Sequence, residues 1–117
     1  MQVGIDVGAT KIETVLLEQD GQERFRSRIS CPKNYTQIIT SIKDIHKKLE
    51  QEFKQDLPIG VCHPGVHSPQ TGLVKNVPNI SWLEKKPFQN DLRKALGKEV
   101  FCENDANCFA LSESIDG

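Results

Sequence analysis

The stretch Val3-Gly4-Ile5-Asp6-Val7-Gly8-Ala9-Thr10-Lys11 decides the fold of the chain. A short apolar run of β type carries one acid, turns at two small residues and continues into a second β-type run, 12–17. Small residues let backbone N–H groups approach an anion closely. The stretch therefore predicts a hairpin whose turn binds phosphate, and an ordinary glycine hairpin without a ligand is the alternative.

Each polar residue of this stretch has a candidate role. Asp6 can hold hydrated Mg²⁺ through water, Thr10 can donate a hydroxyl hydrogen bond, and Lys11 can supply a cation. The stretch is not a P-loop, because the Gly-Lys-Ser/Thr ending is missing. It is not a dinucleotide fingerprint either, because a strand rather than a helix is expected after the turn.

Composition excludes several classes of protein. The chain has 117 residues, which is enough for one domain with a modest core, and its net charge of -1 argues against a nucleic-acid surface. No apolar run approaches the roughly 20 residues that cross a bilayer. The first strand begins at once, without a signal sequence ahead of it. We therefore expect partners other than nucleic acid or membrane.

The cysteines lie at positions 31, 62, 102 and 108 and form no Cys-x-x-Cys pair. Most of them lie within or beside apolar runs, which is typical of buried free thiols in a reducing compartment. We therefore expect a cytoplasmic protein, with neither a zinc site nor a framework of disulfides.

The first half of the chain predicts three strands, a helix and a fourth strand. Runs 2–7, 12–17 and 23–30 form an antiparallel meander, with Asp20-Gly21 in the second turn. Asn34 is expected to cap a helix whose apolar residues recur at helical spacing up to Phe53. His46 lies among charged residues and is interpreted as a surface histidine. Strand 59–62 must then return beside the first strand, which gives a mixed sheet.

The second half is less regular. Loop 66–79 includes a short strand near 73–77, and Trp82 and Leu83 are expected to anchor it. A helix over 87–96 ends at Gly97, strand 99–102 follows, and a last helix reaches about Ile115. The fold class is therefore α/β, with a mixed five-stranded sheet and flanking helices.

Polar residues follow three parallel strands of this sheet. Asp6 ends the first strand, His63-Pro64-Gly65 follows the fourth, and Asn104-Asp105 follows the fifth. Ligands gather at the carboxyl ends of strands in open α/β sheets, so we expect a site on this rim. The alternative for Asn104 or Asp105 is helix capping, although one cap uses only one of the two side chains. His63 is expected to be packed or solvated rather than to bind a ligand.

The chain resembles the ROK family of sugar kinases and repressors. Segment 4–11 is similar to the phosphate segment of the family, and Gly60-Val61-Cys62-His63-Pro64-Gly65 to its Gly-x-x-x-Pro-Gly loop. The run from Thr71 through Trp82-Leu83 also matches, and segment 103–113 resembles the Asn-Asp-Ala-Asn segment. Fructokinase-like and N-acetylglucosamine-kinase-like members are the most similar.

The resemblance implies an actin-like, ribonuclease-H-like ATPase lobe that uses ATP and Mg²⁺ to phosphorylate a sugar. It makes Asp105 the general base. It implies that Gly65, Asn79 and Asn104 contact the sugar and that Asp6 positions Mg²⁺. The residues that would face the β- and γ-phosphates are Gly8, Ala9, Thr10 and Lys11. His63 stands where an aliphatic residue is common, so the identity of the sugar stays open.

The chain is much shorter than members of this family. We therefore expect residues 1–117 to be a single amino-terminal lobe, without the second lobe that carries the adenosine site and the family's zinc motif. A strand beginning at residue 2 disfavours a repressor. Such a lobe should be inactive alone, and the two apolar rows expected on its last helix predict self-association. A non-catalytic binding module and a ribonuclease-H-like nuclease are the alternative functions.

Overall fold

The computed structural model describes residues 1–75 and 83–104. These form two β-sheets and two helices. In chain order the elements are β1 (Gln2–Val7), β2 (Lys11–Leu17), β3 (Glu23–Ser30), α1 (Tyr35–Phe53), β4 (Ile59–His63), β5 (Val66–His67), β6 (Val74–Lys75), α2 (Phe88–Leu96) and β7 (Phe101–Asn104).

The larger sheet has the strand order β3-β2-β1-β4-β7. The three strands β1 to β3 are antiparallel to their neighbours in sequence, whereas β4 is parallel to both β1 and β7. The predicted meander and the return of the fourth strand beside the first are both confirmed. The sheet is therefore mixed and five-stranded, as expected.

One face of the sheet carries the core. Side chains alternate between buried and more exposed along β1, β2 and β4, because successive residues of a strand point to opposite faces. The buried face packs with Ile38, Ile42 and Leu49 of α1 and with Phe88 and Leu92 of α2 in a single apolar cluster. The opposite face is half-buried or exposed; we call it the open face.

Both helices have the predicted caps. The side chain of Asn34 accepts a hydrogen bond from the Gln37 N–H at 3.1 Å, and Gly97 ends α2 with φ 70°. The helices are joined where Tyr35 donates its hydroxyl proton to the Asp91 carboxylate at 2.6 Å. They therefore form one layer over the core.

The excursion after β4 is a small antiparallel sheet in which Val66 pairs with Lys75 and His67 with Val74. Its second strand lies inside the predicted 73–77 strand, while its first strand was not predicted. Leu83 is fully buried, as expected of an anchor. Trp82 lies outside the described residues.

The last strand differs from the prediction of 99–102. It runs from Phe101 to Asn104, because its pairing with β4 begins at Gly60 and continues to His63. Val100 precedes the ladder, and its carbonyl accepts a hydrogen bond from the Gln89 side chain at 2.9 Å. Asn104 is therefore the final residue of the strand rather than part of the turn after it.

The prediction that His46 is a surface residue is wrong. The residue is 3% exposed, and Nε2 lies 2.8 Å from the Leu57 carbonyl oxygen. That carbonyl can only accept, so Nε2 donates. The ring is buried because the segment after α1 folds back over it, which the charged neighbours of His46 in the sequence did not indicate.

A polar cluster surrounds this histidine at the amino-terminal ends of β4 and β7. The Lys98 ammonium donates to Glu50 at 3.0 Å, to the Leu57 carbonyl at 2.8 Å and to Asp56. The Leu57 N–H donates to the same Glu50 carboxylate at 2.8 Å. The cluster therefore joins the end of α1 to the segments that lead into both strands.

The cysteines only partly match the expectation of free thiols. Cys31 and Cys102 are free, and burial raises the pKa of Cys102 to about 12, which leaves it unreactive. Cys62 is disulfide-bonded, and its partner lies outside the described residues. The expectation is therefore wrong at Cys62, which lies on the open face of β4 where another segment can reach its sulfur.

In the described ranges 1–75 and 83–104, neither helix combines the length and the apolar character that a membrane span requires.

Candidate functional site

The β1–β2 turn is closed by its own backbone. The Gly8 N–H donates to the Lys11 carbonyl at 2.9 Å, and the Thr10 carbonyl accepts from the Cys31 N–H at 2.9 Å. A methyl group on Gly8 would lie 3.2 Å from the Lys11 oxygen, so the turn is tight. In the described part of the chain, the N–H groups of Ala9 and Thr10 make no hydrogen bond. These two groups, rather than Gly8, are the backbone donors available to an anion.

Three parallel strand ends meet at one edge of the sheet. Asp6 of β1 is in register with Cys62 of β4, which is in register with Glu103 of β7. One residue further on, His63 pairs with Asn104. The structure thus brings the turn after β1, the segment after β4 and the end of β7 onto one rim, as predicted.

Glu103 is a candidate that the sequence interpretation missed. It is half-buried and shares its face and its row with Asp6, with one strand between them. Strands are spaced about 4.8 Å apart, so the two backbones are separated by about 10 Å. The predicted strand stopped at Cys102, and the alternation of a longer strand would have placed Glu103 on this face.

A third carboxylate of this row, that of Glu13, is hydrogen-bonded to arginines. Glu13 lies in β2 and is the register partner of Asp6 of β1. Its carboxylate oxygens accept hydrogen bonds from Arg26 and Arg28 of β3. The hydrogen bond from Arg28 is the main reason why the pKa of Glu13 is lowered. Glu13 is therefore a partner of the β3 arginines rather than a candidate ligand.

His63 is packed, as expected, but it is also hydrogen-bonded. The ring is fully buried, meets the Phe88 ring edge-on at 5.5 Å between centroids, and places Nδ1 2.8 Å from the Pro64 carbonyl oxygen. Burial lowers the pKa of His63, against the opposing effects of the Pro64 hydrogen bond and the Glu103 charge. Burial therefore favours the neutral form of the ring.

The sugar-binding candidates are only partly described. Gly65 has φ 78°, in the left-handed region that favours glycine, directly after Pro64. Asn104 ends β7 on the rim. Asn79 and the candidate base Asp105 lie outside the described residues, so their place in the site stays a prediction.

The residues at the rim fit a magnesium ion bound through water. Asp6 is exposed at the strand end and offers the oxygen ligand that Mg²⁺ prefers. It lies beside the turn whose Ala9 and Thr10 N–H groups can receive phosphate. Thr10 and Lys11 are both exposed. Within the ranges 1–75 and 83–104, no three His, Cys, Asp or Glu side chains converge in a metal cluster.

The same fold occurs in solved sugar kinases. The ROK hexokinase from Thermus thermophilus matches with a TM-score of 0.82 at 28% identity, over 99% of this chain and 40% of the other. The ROK glucokinase from Streptomyces griseus, solved with glucose and AMPPNP, matches with a TM-score of 0.83 at 25% identity, over 99% and 36%. The fold is thus that of an actin-like ATPase lobe.

Sequence comparison gives the family. The ROK family profile matches residues 2–117, and the chain belongs to the ROK family. It is 38% identical to the N-acetyl-D-glucosamine kinase of Haemophilus influenzae over 117 residues, which are 99% of this chain. The chain spans only 38% of the length of that relative. These relatives support the N-acetylglucosamine-kinase resemblance and not the fructokinase one.

Two glycines of the phosphate segment form a matched pair. Gly8→Ala should lower the free energy of unfolding by about 1–3 kcal/mol, because the added methyl group would press on the Lys11 carbonyl. Gly4→Ala is the control, since nothing lies within 4 Å of the added methyl group. Urea denaturation of both variants measures the difference. Equal losses of stability would contradict the tight turn.

Burial of His63 predicts a pH dependence. Its folded pKa lies below the unfolded value of 6.5, so the stability it contributes is complete above about pH 6.5 and is lost as the pH falls through the folded pKa. Denaturation between pH 8 and pH 5 should show this decline. His63→Phe should flatten the decline, and an unchanged slope in that variant would assign the effect to other groups.

Proposed function

We propose that residues 1–117 are a single amino-terminal lobe of an ATP-dependent hexose kinase, which transfers the γ-phosphoryl group of ATP to a sugar hydroxyl. The observation that carries the proposal is the shared rim. The β1–β2 turn with Asp6, the Pro64-Gly65 segment and the end of β7 meet there because β1, β4 and β7 are parallel and adjacent. Phosphoryl transfer depends mainly on such alignment of groups.

Each group of the rim has a proposed role. The Ala9 and Thr10 N–H groups, the Thr10 hydroxyl and the Lys11 ammonium bind the β- and γ-phosphates, next to Gly8. Asp6 holds Mg²⁺ through water, and this ion would neutralise the charge of the phosphates. Gly65, Asn79 and Asn104 shape the sugar pocket. Asp105 accepts the proton of the attacking hydroxyl.

The first sugar to test is N-acetylglucosamine. The support is the 38% identity to a relative named as a kinase of that sugar. Glucose is the second sugar to test, because the structure of the Streptomyces griseus glucokinase was solved in complex with glucose. Fructose completes the panel.

The experiment measures sugar-dependent release of ADP from ATP. The chain is assayed alone and after mixing with, or fusion to, the remainder of the Haemophilus influenzae relative. Turnover that requires a sugar supports the kinase. Failure of every sugar with the joined lobes, together with Mg²⁺-dependent cleavage of single- or double-stranded nucleic acid, would favour the nuclease instead. Binding of a sugar without any turnover would favour the non-catalytic module.

A cytoplasmic location remains part of the proposal. It is supported by the free thiols of Cys31 and Cys102, which are typical of reducing compartments. The disulfide at Cys62 argues in the other direction. Fractionation of the producing cell decides between them.

We also propose that the isolated chain self-associates through its open face. The segment predicted to form the last helix, which led to the expectation of self-association, lies outside the described residues. The support now comes from one row across the sheet, Val15-Gly4-Gly60-Phe101, in which two glycines leave a shallow floor. Phe101 is 71% exposed beside it, and exposed apolar patches are sites of association.

Phe101→Ser should therefore shift the chain from dimer toward monomer in sedimentation across a concentration series. The matched control is Phe25→Ser. Phe25 is 37% exposed, but it pairs with the buried Leu16 and so lies toward the helix-covered face. A monomeric wild-type chain at high concentration, or equal effects of both variants, would contradict association through the open face.

A further inference from the structure

His63 lies where the helix layer meets the rim. It is the last residue of β4, it is fully buried, and Pro64-Gly65 follow it directly. Its cross-strand partner is Asn104, the last residue of β7. A side chain in this position contacts the core on one side and the turn on the other. It can therefore fix the position of the turn that enters the proposed sugar pocket.

The hydrogen bond of His63 fixes its tautomer. Nδ1 lies 2.8 Å from the Pro64 carbonyl oxygen. A carbonyl oxygen only accepts, so Nδ1 carries the proton and donates it. In the neutral ring, Nε2 then has no proton and is an acceptor.

The orientation of the ring is fixed from the other side by α2. Phe88, the first residue of that helix, is fully buried and meets the imidazole at 5.5 Å with an interplanar angle of 83°. Edge-to-face contacts of this kind hold aromatic rings in a definite orientation. The ring therefore cannot rotate away from the Pro64 carbonyl without disturbing the core.

The hydrogen bond acts on the turn itself. The side chain of His63 bonds to the carbonyl of the following residue, which closes a short ring of atoms around the His63-Pro64 peptide. The next residue is Gly65, whose φ of 78° is available to few residues other than glycine. An aliphatic side chain at position 63 could fill the same volume but could not donate to this carbonyl.

We propose that His63 is a positioning residue for the sugar: its Nδ1–H holds the Pro64 carbonyl and thereby fixes the Pro64-Gly65 turn against α2. The sugar part of this proposal rests on the proposed kinase function. The turn part stands on the geometry of the described residues alone, so the two parts can be tested separately.

Two variants separate the hydrogen bond from the packing. His63→Asn keeps a donor, because Nδ2 of Asn, like Nδ1 of His, is bonded to Cγ. His63→Phe keeps an aromatic ring against Phe88 and loses the donor. In the isolated chain, the carbonyl carbon resonance of Pro64 reports whether that oxygen accepts a hydrogen bond; it should shift in His63→Phe and stay nearly unchanged in His63→Asn. Nitrogen NMR of the wild-type ring should show the Nδ1–H tautomer.

The kinetic test uses the chain fused to the remainder of the Haemophilus influenzae relative. His63→Phe should raise KM for the sugar about tenfold and leave KM for ATP within about twofold, and His63→Asn should restore the sugar KM. Dominance of the Nε2–H tautomer, or equal effects of the two variants on the Pro64 carbonyl resonance, would overturn the proposal. A rise in both KM values would overturn its sugar part. A fusion without turnover, combined with the expected Pro64 carbonyl resonances, would count against the kinase function and not against the positioning of the turn.

Discussion

Asp105→Asn in the two-lobe enzyme should lower kcat by at least ~10²-fold, while the folded structure is unchanged. The reason is the place of this carboxylate in the chain, directly after Asn104 at the end of β7. That strand is adjacent to the one that leads into the proposed sugar pocket. A carboxylate there can accept the proton of the attacking hydroxyl, and an amide of the same shape cannot.

The control for this variant is Asp44→Asn, which makes the same chemical change on an exposed position of α1. It should leave kcat within about twofold, since surface changes rarely affect a distant site. Circular dichroism and thermal unfolding verify that both variants fold. If Asp105→Asn retained near-normal turnover with the correct fold, Asp105 would not be the base.

The second large effect is the loss of activity in the isolated chain. We expect no measurable sugar phosphorylation by residues 1–117 alone, and ATP binding weaker than about 1 μM. Within residues 1–75 and 83–104, the part of a nucleotide site that we propose is the phosphate half, at the β1–β2 turn. A second lobe would also be needed to close over the substrates and exclude water.

Titration calorimetry with ATP and Mg²⁺ tests the binding, and the ADP assay tests the turnover. The control is the same preparation after addition of the second lobe, in which turnover should appear. Asp6→Asn in that mixture should reduce the turnover, because the negative charge of the proposed magnesium ligand would be lost. Micromolar ATP affinity in a monomeric isolated chain would contradict the expectation.

The arrangement of the sheet could be predicted from the sequence because the evidence for it is local. Asp20-Gly21 fixes a hairpin, and the capped helix after Asn34 is long enough to carry the chain back across the sheet. The strand-end positions of Asp6 and Gly65 follow from that order.

Other features could not be predicted because they depend on contacts between distant segments. The limits of β7 are set by its pairing with β4, which shifts the strand by two residues relative to the predicted 99–102 and adds Glu103 to the open face. His46 is buried by the segment that contains Leu57, eleven residues further along the chain. Nothing in the local pattern around either residue records these contacts.

In the candidate site, too, some features follow from the local sequence and others depend on contacts between distant segments. The residue types and their spacing suggested Asp6 and the 8–11 turn as a phosphate site, which stays a proposal, whereas the backbone shows that the Gly8 N–H is already used and that Ala9 and Thr10 offer the donors. His63 was expected to be merely packed or solvated. Its hydrogen bond to Pro64 depends on a ring orientation that Phe88 sets from another helix.

The cluster around Lys98 has a consequence for how this lobe can evolve. It anchors β4 and β7 at their amino-terminal ends, on the edge of the sheet opposite the rim. Mutations at the rim therefore act far from the groups that secure these strands. Distant sites contribute to stability nearly independently. Under the proposed function, changes at exposed rim positions such as Thr10 could alter the choice of sugar without weakening this anchor, which would allow closely related sequences to diverge in specificity.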